Sequence, residues 1–371
     1  MRKVKNLIVG CGLSGIVLAE RLASQGGEEV LIIDRRNHIG GNIYDYKDKE
    51  TGITVHQYGP HVFHTNDKKV WDYLSQFTVW YRFMYRVKAV IDGIEVNIPF
   101  NLDSLHKVFS KDLAEKLENK LIEKFGFNKK VPILELRKSQ DKDLEFLAEY
   151  VYQKVFLGYT VKQWGVKPED LDASVSGRVP VYISRDDRYF QDKYQGIPQE
   201  GYTTMAKNIL NHPLIKVELN TDFNDVKDQI EYERLFFSGA IDEFFNYELG
   251  RLPYRSLDIV FRKHNCEYLQ SGPQLNFPEN YDYTRSVEYK YYLGEKSDKT
   301  IVSYEYPCVY EEGKNERYYP IPDEDNQHLY SQYLDKAKEL KNVYFIGRLG
   351  DYKYYNMDQI VLRALELFKE I

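Results

Sequence analysis

The stretch Lys3-Val4-Lys5-Asn6-Leu7-Ile8-Val9-Gly10-Cys11-Gly12-Leu13-Ser14-Gly15 decides how the rest of the chain is read. Lys3–Val9 carries a short apolar run of the kind that forms a buried strand. Gly10, Gly12 and Gly15 then fall at G-x-G-x-x-G spacing, and a helical pattern runs from about Leu13 to Gln25. Glu29–Ile33 supplies a second strand, Val-Leu-Ile-Ile at its core, which ends at Asp34. The glycine pattern alone is weak. Between a strand and a helix, with an acid closing the next strand, it specifies a dinucleotide-binding unit. Gly10 permits the tight turn, Gly12 lets the backbone approach a pyrophosphate at the helix N-terminus, and Gly15 lets helix pack closely on strand. Asp34 is placed to accept hydrogen bonds from an adenosine ribose.

Asp34 is followed by Arg35-Arg36-Asn37-His38-Ile39-Gly40-Gly41-Asn42. An acid with a Gly pair six residues later resembles the flavoprotein version of the motif, found in amine-oxidase and glutathione-reductase-like proteins, and points to FAD. The chain end returns to the opening style. Asn342–Ile346 reads as a strand, Gly347-Arg348-Leu349-Gly350 follows, and a helix begins near Asn356 with Ile360, Val361, Ala364, Leu365 and Phe368 on one face. A helix N-terminus there would stabilise negative charge on a reduced flavin. No second Gly-rich motif suggests stable NAD(P)H binding, so NAD(P)H is expected only as a transient reductant.

Between these ends the pattern changes twice. Arg86–Ile91 and Ile94–Ile98 flank Asp92-Gly93, a strong two-residue hairpin signal. From about Ser104 to Phe156 apolar residues recur at helical spacing, including Leu113, Leu117 and Leu121, then Leu144, Leu147 and Val151. Residues 172–200 and 245–319, rich in Tyr, Arg and Val, read as antiparallel strands. The expected fold is α/β: a discontinuous Rossmann-type FAD domain (1–80, 201–244 and 320–371), an inserted helical domain (101–170) and an antiparallel sheet domain (81–100, 171–200 and 245–319).

Composition narrows the function class. The 371 residues carry a net charge of −6, the opposite of the basic excess of a general nucleic-acid binder. No stretch approaches the roughly 20 apolar residues that span a bilayer. The first strand starts too early to leave room for a signal peptide. Cys11, Cys266 and Cys308 form neither a CxxC nor a disulfide framework, so a cytoplasmic location is expected and no metal site is. The 33 tyrosines suit both nucleotide–sugar recognition and half-buried strand faces.

Four longer motifs carry a specific resemblance. Gly59-Pro60-His61-Val62-Phe63-His64-Thr65, Gly158-Tyr159-Thr160-Val161-Lys162-Gln163-Trp164-Gly165, Tyr194-Gln195-Gly196-Ile197-Pro198 and the run Gly347–Asp358 are similar to the bacterial UDP-galactopyranose mutases, in family order and over essentially the whole chain. The resemblance implies an FAD enzyme that interconverts UDP-galactopyranose and UDP-galactofuranose by attack of reduced flavin N5 on the anomeric carbon, without net redox. It implies His64, Arg178 and Arg285 as catalytic residues. It implies Tyr85, Phe156, Tyr159, Thr160, Trp164, Tyr189, Tyr319, Tyr354 and Asn356 as substrate contacts: Phe156, Tyr159, Thr160 and Trp164 for the uridine, and Tyr189, Tyr319 and Tyr354 beside the two arginines for the diphosphate. For FAD it implies Gly10, Gly12, Ser14, Gly15, Asp34, Arg35, Gly41, Asn42, His61, Val62, Gly347, Arg348, Tyr355, Met357, Asp358, Gln359 and Ile360. The implied partner is the UDP-sugar, and a homodimer is allowed.

One residue departs from the family pattern. Where the family often has Asn ahead of Arg-Val, this chain has Tyr85, a larger group that bears on both sugar and base. Two alternatives stand beside the mutase: a flavin oxidoreductase of the amine-oxidase type, which explains the FAD motif equally well, and a mutase for a related nucleotide-sugar, which Tyr85 leaves open.

Overall fold

The computed structural model describes residues 2–170, 180–321 and 323–371. They group into two compact units, 1–83 with 192–254 and 317–371, and 84–191 with 255–316.

The first unit is built on five parallel strands. β1 (Arg2–Val9) lies at the centre, between β2 (Val30–Asp34) and Ile230–Phe237, with Ile215–Leu219 and Val343–Phe345 outside them. Leu7 and Ile8 point to opposite faces of β1, and both are wholly buried. A parallel sheet covered on both faces requires this, and it explains why the run reads as continuous rather than alternating. α1 (Leu13–Ser24) follows the glycine turn and packs against the last helix, Met357–Glu370. That helix starts one residue after its expected first position, because Asn356 is its cap. The Asn356 side chain takes the N3 backbone N–H, and the Gln359 side chain accepts from Asn356 N at 2.8 Å.

The second unit carries both the helical segment and the antiparallel sheet that the sequence reading assigns to separate bodies. Lys111–Phe125 and Lys142–Val151 are its principal helices. Its strands run in the order Tyr254–His264, Thr300–Val309, Arg285–Glu288, Gln274–Asn276, Val87–Ile91, Ile94–Ile98. All neighbours are antiparallel except Gln274–Asn276 with Val87–Ile91. The expected hairpin turns at Asp92 (φ 49°) and Gly93 (φ 77°), the two left-handed residues of a type I′ turn. The Tyr194–Pro198 motif pairs instead with Phe63–Thr65 in the first unit.

Candidate functional site

In the first unit the glycine turn is a cradle for a dinucleotide. Gly12 caps α1 and has no side chain to bond the helix start. The first N–H groups of α1, which have no partner within the helix, lie at the positive end of its dipole. Gly40 N donates to Cys11 O at 2.8 Å, bringing the Gly40-Gly41 pair onto the turn. Gly41 has φ +57°, and a Cβ there would meet Gly12 Cα at 2.8 Å. A Cβ on Gly12 would meet protein only at 3.9 Å, so the space beside Gly12 is open to a ligand. Cys11 N and Arg36 N donate to the two oxygens of Asp34 at 2.7 and 2.8 Å, which fixes the carboxylate while leaving lone pairs for a ribose. Burial, reinforced by Asp34, pushes the Cys11 thiol up to about 12.

The other expected cofactor residues gather in the same unit. Gly347 docks on Ser14: a Cβ there would lie 2.9 Å from the Ser14 hydroxyl oxygen. Arg348 donates to the carbonyls of Tyr355 (2.8 Å) and Tyr318 (3.2 Å), and its guanidinium lies 5.0 Å from the Tyr354 ring centre and 5.6 Å from that of Tyr319. Tyr319 and Tyr354 meet edge to face at 5.2 Å. His61 is held by its backbone, whose N–H donates to His56 Nδ1 at 3.0 Å. Val62 is buried and Arg35 is exposed, while Asn42 accepts from Arg36 Nη1 at 3.0 Å. Arg36, whose guanidinium lies 4.3 Å from the Tyr58 ring centre, is a neighbour of the cradle that motif reading passes over.

Strand pairing builds the setting of His64. His64 is the middle residue of the strand Phe63–Thr65, and Asn66 lies in the bend that follows it. Both reach Asp192, two residues ahead of the paired strand Tyr194–Pro198: His64 Nδ1 at 3.0 Å and Asn66 Nδ2 at 2.7 Å. The only signal for Asp192 in the sequence is its position before the Tyr-Gln-Gly-Ile-Pro motif.

In the second unit Arg285 and Glu305 stand directly opposite each other on paired strands. Arg285 Nε donates to Glu305 at 2.6 Å, and the Glu305 side chain has no solvent exposure. Burial pushes the Glu305 carboxyl up against the opposing pull of Arg285. Tyr85 is buried. Its hydroxyl donates to Gln274 and accepts from Tyr292 at 3.0 Å, and burial pushes its pKa up. Its carbonyl accepts from Tyr189 N at 2.7 Å, and the Tyr85 and Tyr189 rings meet at 5.8 Å. Tyr159, Thr160 and Trp164 lie on the Gly158–Trp164 helix, with Phe156 on the preceding wide π-type turn, Tyr152–Leu157. Phe156, Thr160 and Trp164 recur every fourth residue, a spacing that suits one helix face. Phe156 and Trp164 are largely buried, whereas Tyr159 and Thr160 are half-buried. Arg178 lies outside the described residues. Among the described residues, no helix is long and apolar enough to cross a membrane.

These features can be set beside known proteins. A family model for UDP-galactopyranose mutase matches residues 154–354, and one for an NAD(P)-binding Rossmann-like domain matches residues 8–77. The chain is 39% identical to a probable UDP-galactopyranose mutase of Klebsiella pneumoniae over 98% of this chain and 94% of that protein. It is 38% identical to a dTDP-fucopyranose mutase of Escherichia coli over 98% and 97%. Its fold matches a crystal structure of reduced UDP-galactopyranose mutase with a TM-score of 0.75 at 16% identity, covering 99% of this chain and 95% of the other. The open glycine cradle fits a dinucleotide cofactor, in keeping with the Rossmann-like match. On full-length identity and family match together, the chain belongs to the UDP-galactopyranose mutase family of isomerases.

Proposed function

We propose that the chain interconverts the pyranose and furanose forms of UDP-galactose. The observation that carries this reading is the 39% identity to a probable UDP-galactopyranose mutase over 98% of the chain. Bound and reduced, FAD supplies a nucleophilic nitrogen, with NAD(P)H as a transient reductant.

The chain's own residues bind, orient and neutralise. Gly10, Gly12, Gly15, Gly41 and the start of α1 hold the pyrophosphate of the cofactor. Asp34 takes the ribose, Arg35, Asn42, Val62 and Ile360 border the cofactor, and Arg348 is oriented between Tyr319 and Tyr354. Asn356, Met357, Asp358 and Gln359 form the start of the last helix, whose dipole favours negative charge. In the second unit Tyr159, Thr160 and Trp164 hold the nucleoside. Arg285, oriented by buried Glu305, meets the diphosphate, and a planar guanidinium does so with two parallel hydrogen bonds. Charge that grows on the departing diphosphate makes this contact stronger as the reaction proceeds. Arg178 is assigned the same role by family resemblance. The three cysteines suit a reducing cytoplasm.

A second reading, a mutase for a dTDP-sugar, is favoured by one observation. The dTDP-fucopyranose mutase is 38% identical, one percentage point from the other relative. Anaerobic reduced enzyme given UDP-galactofuranose and the furanose form of dTDP-fucose in competition separates the two. The first reading expects UDP-galactopyranose to form faster, and faster turnover of the dTDP-sugar selects the second.

A further inference from the structure

The Gly158–Trp164 helix is fastened to the loop that delivers Arg285 through the ammonium group of Lys162. Lys162 Nζ donates to the carbonyl oxygens of Glu279 (2.9 Å), Tyr281 (3.0 Å), Tyr283 (3.4 Å) and Phe277. Three donors serve four oxygens, and all four belong to the 277–284 loop. The loop is closed at its neck, where Phe277 N donates to Thr284 O at 2.8 Å. The next residue is Arg285, the first of its strand and paired with Asn276.

Other contacts make this juncture tight. A Cβ on Gly158, the first residue of the helix, would lie 2.1 Å from Pro278 O. The far end of the helix is held by Arg255, whose Nε and Nη2 donate to the carbonyls of Gln163 (2.9 Å) and Lys162 (3.0 Å). Converging carbonyl dipoles repel one another, and a central cation reverses the sign of that interaction. Partial burial pulls the ammonium down to about 8, against the opposing effect of Asp282.

We propose that Lys162 is a positioning residue. It fixes Arg285 at a set distance from the nucleoside on the Gly158–Trp164 helix, so that base and diphosphate of one ligand are gripped together. This rests on the reading of that helix as the nucleoside site. The geometry distinguishes Lys162 from a residue that merely stabilises the helix. Losing it should spare a ligand with no phosphate and penalise one that also needs Arg285.

The test is calorimetric titration of the FAD-loaded, oxidised enzyme with uridine and UDP, and with thymidine and dTDP in parallel. The pair that the parent binds more tightly is read. In Lys162→Met, affinity for the nucleoside should stay within about twofold of the parent while affinity for the diphosphate falls about tenfold or more, because preorganisation is lost. The diphosphate effect should vanish in an Arg285→Ala background, since coupled residues are non-additive. If Lys162→Met does not fold, Lys162→Gln, which keeps donor hydrogens on a shorter neutral chain, is read by the same ratio. Equal losses for nucleoside and diphosphate, or additivity with Arg285→Ala, overturn the proposal. Parent-like diphosphate affinity overturns it alone if Trp164→Ala weakens binding. If Trp164→Ala changes nothing, the nucleoside site fails and the proposal with it.

Discussion

His64 Nδ1 and a carboxylate oxygen of Asp192 lie 3.0 Å apart, and Asn66 Nδ2 holds the other carboxylate oxygen at 2.7 Å. An ionised carboxylate only accepts hydrogen bonds, so Nδ1 carries the proton and, in the neutral ring, Nε2 is the acceptor. Asp192→Ala is predicted to lower turnover of the reduced enzyme about tenfold, the equivalent of one hydrogen bond of roughly 1.4 kcal/mol. It should also shift the His64 ring-nitrogen resonances toward mixed tautomers in a nitrogen-15 spectrum. Parent-like spectra in the variant would show that Asp192 does not set the tautomer.

The glycines of the cradle separate folding from cofactor binding. A Cβ on Gly15 would sit 2.1 Å from Gly10 O, whereas one on Gly12 meets protein only at 3.9 Å. Gly15→Ala should therefore destabilise the apoprotein. Gly12→Ala should leave the apoprotein Tm within about 1 °C of the parent, a change below about 1 kcal/mol for a chain this long. It should still reduce FAD occupancy, because the methyl group enters the ligand's space. Flavin absorbance per chain and a thermal melt of each apoprotein check both expectations. Full FAD occupancy in Gly12→Ala would show the cofactor lying elsewhere.

Much of this cradle is legible in the sequence, because backbone turns and strand–helix alternation are local properties. The Asp92-Gly93 hairpin and the Asn356 helix start are legible for the same reason. Partners fixed by strand register are not. Glu305 reaches Arg285 only because two strands align. Asp192 reaches His64 only because Gln195 pairs with His64. The burial of Tyr85 depends on Gln274 and Tyr292, which are remote in sequence. Aromatic composition gave no sign of it, since Tyr serves strands and ligands alike.

The Arg285–Glu305 pair has a stability signature. Removing one member of a buried pair leaves an uncompensated charge and costs about 3 kcal/mol or more, whereas removing both costs less. Arg285→Ala is thus predicted to lower the Tm more than the double variant Arg285→Ala/Glu305→Gln. Equal melting temperatures would mean that Glu305 is already neutral beside Arg285.

His56 predicts acid sensitivity. Its ring is buried, Nδ1 accepts the His61 N–H, and burial pulls the imidazole down to about 3. The unfolded chain protonates this ring near its ordinary value of about 6.5. Between those two values the unfolded state binds more protons, so stability falls as pH is lowered. The contribution is about 1.4 kcal/mol per pH unit below about 6.5, and a His56→Gln variant should lose that slope in denaturant titrations from pH 7 to pH 5. The same slope in parent and variant would assign the acid sensitivity to other groups.

Isomerisation of a nucleotide-sugar by reduced flavin, with no net redox, leaves the flavin as it began. The most direct measurement is anaerobic incubation of the dithionite-reduced enzyme with UDP-galactofuranose, following sugar-nucleotide products and flavin absorbance together. Many turnovers to UDP-galactopyranose per flavin are expected, with the flavin still reduced at the end and no activity in the oxidised enzyme. Product limited to one equivalent per flavin, or equal turnover by the oxidised enzyme, would contradict it.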